Sequence, residues 1–368
     1  MRIVAVQTGL SPNSVLGGTI TDREFLTRLG DRGVEIHVLA QQEGEPIVAH
    51  DNFVHHFWNR KIKRLPYAGN LDVARDLRQL LGKLGKVDWI RFNSAAGVGI
   101  GTVFASNGHR VWGSYLHCED IRFRYWVDSY LPKYCDLITC LSEDTRRDLV
   151  SRCKQANHAN NVVVPMGIDL ARFDAVRHLR YPLRAKLEVG EGEVLVLFVG
   201  TLTPRKGISD MVRAWELLGQ NPKARLLIIG RRYGPNELRL VEDLVKSDPR
   251  VRYLEKVPYE EAPGYFQAAD VFLFPTHLEG FGIVVGEAMA CGLPVLTTRA
   301  KGVREVVVEN ETALVADVGR PEQLASHLDR LLTDADLRAR LGSAGRERVK
   351  DFFQWETIID SLMDRLQG

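Results

Sequence analysis

The sequence predicts an α/β protein made of two consecutive doubly wound domains, each with a parallel sheet. Short β-branched runs alternate with helical patterns between residues 2 and 165, and the alternation restarts at the apolar run EVLVLFVG (193–200). Strand–helix alternation is typical of a parallel sheet with helices on both faces. A continuous apolar run is typical of a buried central strand, and 368 residues suffice for two cores.

The predicted strands fall into two series, one on each side of the segment 166–192, which lacks regular periodicity. We therefore expect domains at 1–170 and 171–350, followed by a C-terminal helix at 351–368 that packs back on the first domain. Because ligands of open α/β sheets bind beyond the carboxyl ends of strands, two facing units would hold a ligand in the cleft between them. The predicted strands are 2–6, 35–40, 88–93, 109–116, 136–141, 161–165, 193–200, 224–230, 250–256, 269–275 and 293–298.

Composition indicates a soluble globular protein. Apolar residues make up 45% of the chain, charged residues 26%, and the net charge of +2 gives no case for nucleic acid. An odd number of cysteines without a CxxC pair fits a reduced, cytoplasmic compartment. The start MRIVAVQTG lacks the features of a signal peptide, and no apolar run approaches the roughly 18 residues of a membrane span. Any membrane contact would therefore be peripheral, at the inner face. The cysteines are Cys118, Cys135, Cys140, Cys153 and Cys291.

Two glycine-containing loops follow predicted strands and precede predicted helices. In QTGLSPNSVLGGTI, Gly17 and Gly18 could bring backbone amides to an anion, although a plain turn explains them equally well. In VGTLTPRKG, Lys206 and Arg205 could bind phosphate oxygens. Two solvated basic residues are the simpler explanation, but positive charge at a helix start opposes the dipole, which favours a functional role.

The stretch PTHLEGFGIVVGEAMACGLPVLT places two carboxylates in an apolar setting. Glu279 lies in a loop where the amides of Phe281 and Gly282 could face a ligand, and Glu287 interrupts an apolar helix. A buried carboxylate needs hydrogen-bond or ionic partners. Ligand hydroxyls would serve, and a structural arginine is the alternative for Glu287.

Three other signals are weaker. His117 in YLHCED follows a strand, but a lone histidine is more often structural than catalytic. Asp334–Asp336 has the form of a metal-binding DxD, yet capping of a helix explains it better. The glycines of GVGIG (97–101) lack the rest of a dinucleotide fingerprint, which argues against a dehydrogenase.

The chain resembles a retaining glycosyltransferase of family 4, with the GT-B fold of two facing Rossmann-like domains, over nearly its whole length. The most specific similarity is E-x7-E, here Glu279 and Glu287. The stretch VVPMGIDLARF (163–173) resembles P-N-G-V-D-x-x-x-F, FVGTLTPRKG resembles G-R-x-x-x-x-K-G, and KGVREVV (301–307) resembles G-G-x-x-E-x-V. The first glycine loop with its helix is also similar to the family's N-terminus.

The resemblance implies a role for each motif. The first domain would be the acceptor side and the second would bind the nucleotide sugar. Lys206 would neutralise the donor diphosphate, Glu287 would bind the ribose hydroxyls, and Glu279 would hold hydroxyls of the transferred sugar. His117 would lie beside the anomeric carbon, and Gly17 and Gly18 would approach the diphosphate or the acceptor. The further donor-binding residues implied are Gly200, Thr201, Arg205, Gly230, Gly280, Phe281, Gly282 and Ile283.

The implied reaction is transfer of a hexose, with retention, from a donor of the GDP-mannose or UDP-glucose type to a hydroxyl of a glycan, lipid or small molecule. No metal and no cofactor are implied, and Glu279 would position the sugar rather than attack it. The chain departs from the family pattern at Thr201 (for arginine), Met166 (for asparagine) and Lys301 (for glycine). Arg205 could supply the charge that Thr201 lacks.

Two alternatives share the fold. A nucleotide-sugar epimerase would act without an acceptor, and a non-catalytic nucleotide-sugar-binding protein would not need the charged motif residues. The stretches HHFWNRKIKRLPY (55–67) and RFRYWV (122–127) mix aromatic with basic residues. They indicate either a solvated basic loop, which is slightly favoured, or contact with a lipid-linked acceptor or an acidic membrane surface.

Overall fold

The computed structural model describes residues 1–7, 17–41, 49–58, 69–93, 98–115, 130–153, 161–219 and 221–368, without the side chains of 17–19 and 41. These residues form two compact units. Unit 1 comprises Met1–Met166 with Glu356–Gly368, and unit 2 comprises Gly167–Trp355. Each unit is built on one parallel β-sheet. The predicted fold class of two parallel-sheet α/β domains is therefore confirmed.

The described strands of unit 1 form a seven-stranded sheet whose neighbours are all parallel. They are β1 (Arg2–Gln7), β2 (Glu35–Gln41), β3 (Phe53–Trp58), β4 (Trp89–Phe92), β5 (Val111–Tyr115), β6 (Leu137–Cys140) and β7 (Asn161–Val163). Their order across the sheet is β3-β2-β1-β4-β5-β6-β7. The direction of winding changes between β1 and β4, and such a switch point is where open α/β sheets bind ligands.

The helices of unit 1 have local sequence causes. Ser142 caps its helix as predicted, because its side chain accepts a hydrogen bond from the Thr145 amide at 3.1 Å. Gly101 of the GVGIG stretch lies where two helices meet closely, since an added Cβ would come within 2.3 Å of the Asn70 carbonyl oxygen. That glycine therefore has a packing role. The helices are α1 (Gly17–Asp31), α2 (Gly69–Leu84), α3 (Ile100–Ala105) and α4 (Glu143–Arg152).

The described strands of unit 2 form a six-stranded sheet with the same winding, in which all pairs are again parallel. They are β8 (Val194–Val199), β9 (Ala224–Ile229), β10 (Val251–Leu254), β11 (Val271–Phe274), β12 (Val295–Thr298) and β13 (Ala313–Ala316). The order is β10-β9-β8-β11-β12-β13. The switch point of this sheet therefore lies between β8 and β11.

The helical C-terminal region that the sequence predicts is divided into three helices. Asp334 begins the second of them, and Phe353 separates the second from the third. The segment 166–192, for which no element is predicted, contains two short helices. The helices that follow unit 1 along the chain are α5 (Leu170–Asp174), α6 (Arg180–Lys186), α7 (Ile208–Leu217), α8 (Pro235–Ser247), α9 (Ala262–Ala268), α10 (Ile283–Ala290), α11 (Val303–Val306), α12 (Pro321–Thr333), α13 (Ala335–Phe352) and α14 (Trp355–Gln367).

Helix α14 returns the chain to unit 1. The buried indole of Trp89 donates to the Leu366 carbonyl oxygen at 2.8 Å, and Arg32 pairs with Asp360 at 2.8 Å. Its apolar side chains Ile359 and Leu362 are almost fully buried. The end of the chain therefore completes the core of the first sheet.

Two strands are missing from the sequence prediction, and both lie at an edge of their sheet. Strand β3 exposes Val54 and Phe57 and carries two histidines, so it lacks the apolar character of the central strands. Strand β13 has only four residues. Edge strands are short and polar more often than central strands, which weakens their pattern in the sequence.

Thiols and membrane spans can be assessed for part of the chain. The described cysteines are unpaired, and Cys135, Cys140 and Cys153 are buried. None of the helices in the described ranges combines the length and the apolar character that crossing a bilayer requires.

The Asp334–Asp336 stretch gives a stability prediction. Asp334 caps α13 by accepting a hydrogen bond from the Leu337 amide at 2.8 Å, which confirms its predicted capping role. Asp334→Ala should cost about 1 kcal/mol, or a fall in Tm of about 2–4 °C. Asp336→Ala, two residues on and exposed, should cost less than half of that. Thermal unfolding of both variants measures the difference, and equal losses would contradict the capping role.

Candidate active site

The two loops that carry the predicted charged residues meet at the switch point of unit 2. Strands β8 and β11 are paired directly, with Val196 opposite Val271. The chain leaves β8 into residues 200–207 and leaves β11 into residues 275–282. Both loops therefore begin at the same edge of the sheet, and the strand pairing brings together residues more than 70 positions apart.

Hydrogen bonds join the two loops. The carbonyl oxygen of Arg205 accepts from the His277 amide at 2.8 Å and from the Thr276 hydroxyl at 3.0 Å. The Arg205 guanidinium donates to the Leu278 carbonyl oxygen at 2.9 Å. His277 also contacts Asp210 of α7 at 2.8 Å. These contacts fix the first loop against the second, so the side chains at their tips have defined positions.

Glu279 of the second loop faces both cations of the first loop. Its Oε1 atom accepts from Lys206 Nζ in a short contact and from Thr276 Oγ1 at 3.1 Å, and it forms an ion pair with Arg205 Nη1 at 3.2 Å. The side chains of Lys206 and Glu279 are only 12% and 9% exposed. Lys206 also lies over the Phe274 ring, 4.8 Å from its centroid. Two cations and one carboxylate leave this group with one net positive charge at the sheet edge.

The structure thus connects two residues that the sequence assigns to separate tasks. Lys206 is predicted to meet phosphate and Glu279 to meet sugar hydroxyls, whereas in this structure the two form an ion pair. The Thr276 hydroxyl, which the sequence gives no reason to select, completes the carboxylate's surroundings. No charge or glycine pattern marks Thr276, so only the strand pairing could have identified it.

Glycines allow the close approach of these loops. Gly207 has a φ of +67°, and a Cβ at this position would lie 1.8 Å from the Pro275 carbonyl oxygen. Gly302 has a φ of +83°, and its Cβ would lie 2.4 Å from the Glu279 carbonyl oxygen. The Glu279 amide donates to the Lys301 carbonyl oxygen at 3.2 Å. A side chain at Gly207 or Gly302 would therefore displace the backbone next to Lys206 or Glu279.

Glu287 lies on α10, a helix that is otherwise apolar and mostly buried. Its side chain is 15% exposed and faces Arg172 of α5, with Nη1 at 3.8 Å from Oε1. Arg172 stacks on the Tyr259 ring at 3.8 Å and donates to the Tyr259 carbonyl oxygen at 2.7 Å. Burial raises the pKa of the nearby Cys291 thiol, and the negative charge of Glu287 adds to that rise. The structural arginine considered as an alternative is therefore present, at ion-pair distance.

The remaining predicted donor residues occupy the same end of unit 2. Phe281 is 4% exposed and meets the Phe353 ring edge-on at 5.5 Å, so its side chain belongs to the core. Gly282 is the N-cap of α10, and Ile283 is its first residue. Gly280 precedes them in the loop.

The loops after β8 and β9 also lie side by side. Gly200 and Gly230 follow neighbouring strands, and a Cβ on Gly230 would lie 2.3 Å from the Gly200 carbonyl oxygen. Thr201 follows Gly200, and the hydroxyl of Thr203 is buried without a hydrogen-bond partner in the described residues. Thr203 is not among the predicted site residues, because a single threonine in a loop has no distinguishing pattern in the sequence.

The candidates of unit 1 are only partly described. Gly17 and Gly18 form the start of α1, which follows β1 at the switch point of the first sheet. His117 lies outside the described residues, and its role stays a prediction. Within the described ranges, no group of three or more His, Cys, Asp or Glu side chains is arranged to hold a metal ion.

Comparison with known proteins places this chain in a family. Residues 17–172 match the family described as Glycosyltransferase Family 4, and residues 180–348 match Glycosyl transferases group 1. A GDP-mannose-dependent alpha-(1-6)-phosphatidylinositol monomannoside mannosyltransferase of Mycobacterium tuberculosis is 32% identical over 280 residues, 73% of this chain and 70% of that protein. The chain belongs to the family 4 glycosyltransferases.

Other relatives match more of this chain at lower identity. A D-inositol 3-phosphate glycosyltransferase of Corynebacterium jeikeium is 27% identical over 381 residues, covering 98% of this chain and 82% of that one. Sucrose-phosphate synthase from Thermosynechococcus elongatus superposes with a TM-score of 0.84 at 23% identity, covering 100% and 98% of the two chains. The structure of HepE from Anabaena with UDP and glucose superposes with a TM-score of 0.81 at 18% identity, covering 100% of this chain and 99% of that one. The fold of this glycosyltransferase is GT-B, and its reaction class is glycosyl transfer from a nucleotide sugar.

The contact at Gly207 gives a prediction with a matched control. Gly207→Ala should destabilise this glycosyltransferase and abolish most of its activity, because the new Cβ forces the Lys206 loop away from Pro275. Gly319→Ala has the same kind of backbone strain, with a φ of +72°, but nothing within 4 Å of the new Cβ. It should cost only about 1–2 kcal/mol and leave activity intact.

Thermal unfolding and initial rates of both variants test this prediction. If Gly207→Ala behaved like Gly319→Ala in both measurements, the close approach of the two loops would not be needed.

Proposed function

We propose that this glycosyltransferase moves a hexose from a nucleoside diphosphate sugar to an acceptor hydroxyl with retention of configuration, without a metal ion. The observation that carries the proposal is the convergence of Lys206, Arg205 and Glu279 at the edge of β8 and β11. A switch point with one net positive charge suits an anionic group, and carboxylate oxygens beside it suit hydroxyls.

Charge stabilisation of the leaving group would be the main contribution of the two cations. When the bond to the anomeric carbon breaks, negative charge develops on the diphosphate, and fixed positive groups stabilise it most where water is excluded. Lys206 is largely buried and Arg205 is one-third exposed. Both point at the same carboxylate, which supports Arg205 as the source of the positive charge that Thr201 does not supply.

Glu279 is better suited to positioning a sugar than to attacking it. A nucleophilic carboxylate needs electron density on an accessible oxygen. Here Oε1 already accepts from a lysine and a threonine and forms an ion pair with an arginine. These contacts draw charge away from the carboxylate and fix its orientation, which supports hydrogen bonding to sugar hydroxyls and transfer on the face that the leaving group leaves.

Glu287 would bind the ribose hydroxyls of the donor. Its side chain is 15% exposed, so it is mostly buried but still accessible, and it faces the Arg172 guanidinium at 3.8 Å. A cis-diol can donate two hydrogen bonds to one carboxylate. In unit 1, His117 would contact the sugar near the anomeric carbon, and Gly17 and Gly18 would approach the diphosphate or the acceptor.

The names of the relatives support a choice of donor and acceptor. The mannosyltransferase of Mycobacterium tuberculosis is described as GDP-mannose-dependent, and its acceptor is a phosphatidylinositol mannoside. We therefore place GDP-mannose ahead of UDP-glucose as the donor. The acceptor would be a sugar or inositol hydroxyl, carried on a lipid or free.

Product analysis tests the proposal. Purified protein is incubated with GDP-mannose or UDP-glucose and a panel of inositol, inositol phosphate and mannosyl-lipid acceptors, with and without EDTA. The expected result is acceptor-dependent release of GDP, an α-linked product by NMR and equal rates with the chelator. A donor altered without any acceptor would show an epimerase instead, and nucleotide-sugar binding without turnover would show a binding protein.

The role of Lys206 is tested by substitution. Lys206→Met should lower kcat by about 10²–10³-fold, because one fixed donor to the developing charge is lost. Arg213→Met removes an exposed cation from α7 and should change kcat by less than twofold. Steady-state rates and melting temperatures are compared. A folded Lys206→Met protein with nearly full kcat would refute the role.

A surface of unit 1 supports a lipid-linked acceptor. Phe104 is 72% exposed, and Tyr130 and Tyr134 are 49% and 56% exposed. Lys133 Nζ lies 5.0 and 4.7 Å from the two tyrosine rings, and Arg78 donates to the Phe104 carbonyl oxygen at 2.7 Å. Exposed aromatic and basic side chains together suit an anionic lipid surface. Of the two stretches first considered for this contact, His55–Trp58 is edge strand, and residues 59–67 and 122–127 lie outside the described residues.

Vesicle sedimentation tests the membrane contact. The protein should sediment with vesicles containing 30% anionic lipid, and Phe104→Ser with Lys133→Glu should weaken binding by about tenfold or more, given about 1 kcal/mol per basic residue. Phe352→Ser, which removes a phenylalanine of unit 2 that is 61% exposed, should have no effect. A wild-type protein that stays in the supernatant would end this part of the proposal.

A further inference from the structure

A charged pair lies in the centre of the first sheet, outside the motifs considered so far. Arg91 on β4 and Asp22 on α1 are 1% and 0% exposed, and Arg91 Nη2 donates to Asp22 Oδ1 in a short contact. The same nitrogen lies 3.1 Å from Ser114 Oγ, and the guanidinium stacks on the Trp112 ring at 4.6 Å. The pair therefore connects the helix after β1 with β4 and β5.

The surroundings of the pair are polar as well as buried. Ser114 Oγ lies 3.2 Å from Thr139 Oγ1, which in turn accepts from the Trp112 indole at 3.0 Å. Other atoms remain without partners in the described residues, namely Arg91 Nε and Nη1, Asp22 Oδ2 and both amide atoms of Gln7. A buried network that is only partly satisfied is a poor source of stability.

Buried ion pairs of this kind can usually be replaced by apolar side chains without loss of stability, because desolvation of the charges offsets their attraction. Removal of one partner alone is costly, since it leaves an unpaired charge. Stability therefore does not explain why an arginine lies in a central strand. A pair that accepts only one relative position of two elements does fix those elements, as buried polar groups do elsewhere.

The elements that the pair joins are the two sides of the unit 1 switch point, α1 after β1 and strand β4. Asp22 is five residues after Gly17, about 7.5 Å along the helix axis. We propose that Asp22 and Arg91 are positioning residues that fix the first turn of α1, and with it the Gly17–Gly18 backbone, for glycosyl transfer. The inference rests on the proposed role of those glycines.

The test compares variants that separate position from stability. Asp22→Leu with Arg91→Met replaces the pair by apolar side chains, and Asp22→Asn keeps the shape and removes the charge. Arg2→Met with Glu35→Leu removes an ion pair at the opposite end of the same sheet and is the control. Melting temperature, kcat, the donor KM and hydrogen exchange of the α1 amides are measured for each protein.

The apolar double variant should melt within about 5 °C of the wild type, but kcat should fall about 10²-fold, the loss expected when a reacting group is misplaced by about 1 Å. Exchange of the amides of residues 21–25, the first in α1 whose acceptors lie inside the helix, should be at least tenfold faster. Asp22→Asn leaves the Arg91 charge unpaired, so it should melt lower than the double variant and show the same two changes, and the control pair should show neither.

A folded double variant with kcat within threefold of the wild type overturns the inference, and if it does not fold, the same outcome for Asp22→Asn overturns it. A wild type without any transfer activity overturns the proposed function instead. In that case, α1 exchange in Asp22→Asn still decides whether the pair fixes the helix.

Discussion

The pairing of β8 with β11 is the contact on which the arrangement of the active-site candidates depends. It brings the loops that end in Gly207 and Gly282 to one edge of the sheet, and the backbone of Arg205 then binds the second loop directly. An ammonium group and a carboxylate that are both about 90% buried would each be unfavourable alone. They are stable here because each is the other's partner, and because a threonine hydroxyl and an aromatic face complete their surroundings.

If the donor binds as proposed, this pairing has a consequence for its binding. A diphosphate that approaches Lys206 competes with Glu279 for the same ammonium group. Sugar hydroxyls that approach Glu279 can replace the hydrogen bond that Lys206 donates to it. The cation and the carboxylate can therefore exchange an internal partner for a ligand partner in one concerted event. The site keeps its charges paired without a ligand, and most of the desolvation of both groups has taken place before a ligand arrives.

Central features of the fold could be predicted from sequence because they depend on local composition. The apolar run of β8 predicts a buried strand, and Ser142 and Asp334 predict helix starts, each from neighbouring residues alone. The structure agrees with all three. The edge strand β3 could not be predicted, since its exposed side chains remove the apolar pattern. The site was predictable as a set of charged loops but not as a set of contacts. Glu279 and Lys206 are 73 positions apart, and the arginine that faces Glu287 comes from a short helix in a segment that lacks regular periodicity.

The charged groups at the two switch points differ in burial, and this difference determines how each can affect a ligand. In unit 2, Arg205 and the Lys206–Glu279 pair lie at the ends of loops and retain some exposure, so a ligand can reach them and take over a partner. In unit 1, Asp22 and Arg91 have almost no exposure, and the sheet, the Trp112 ring and α1 surround them. A ligand cannot exchange with charges that it cannot reach. The Lys206–Glu279 pair can therefore act by direct contact with a ligand. The Asp22–Arg91 pair can act only through the position of α1, the helix that carries Asp22.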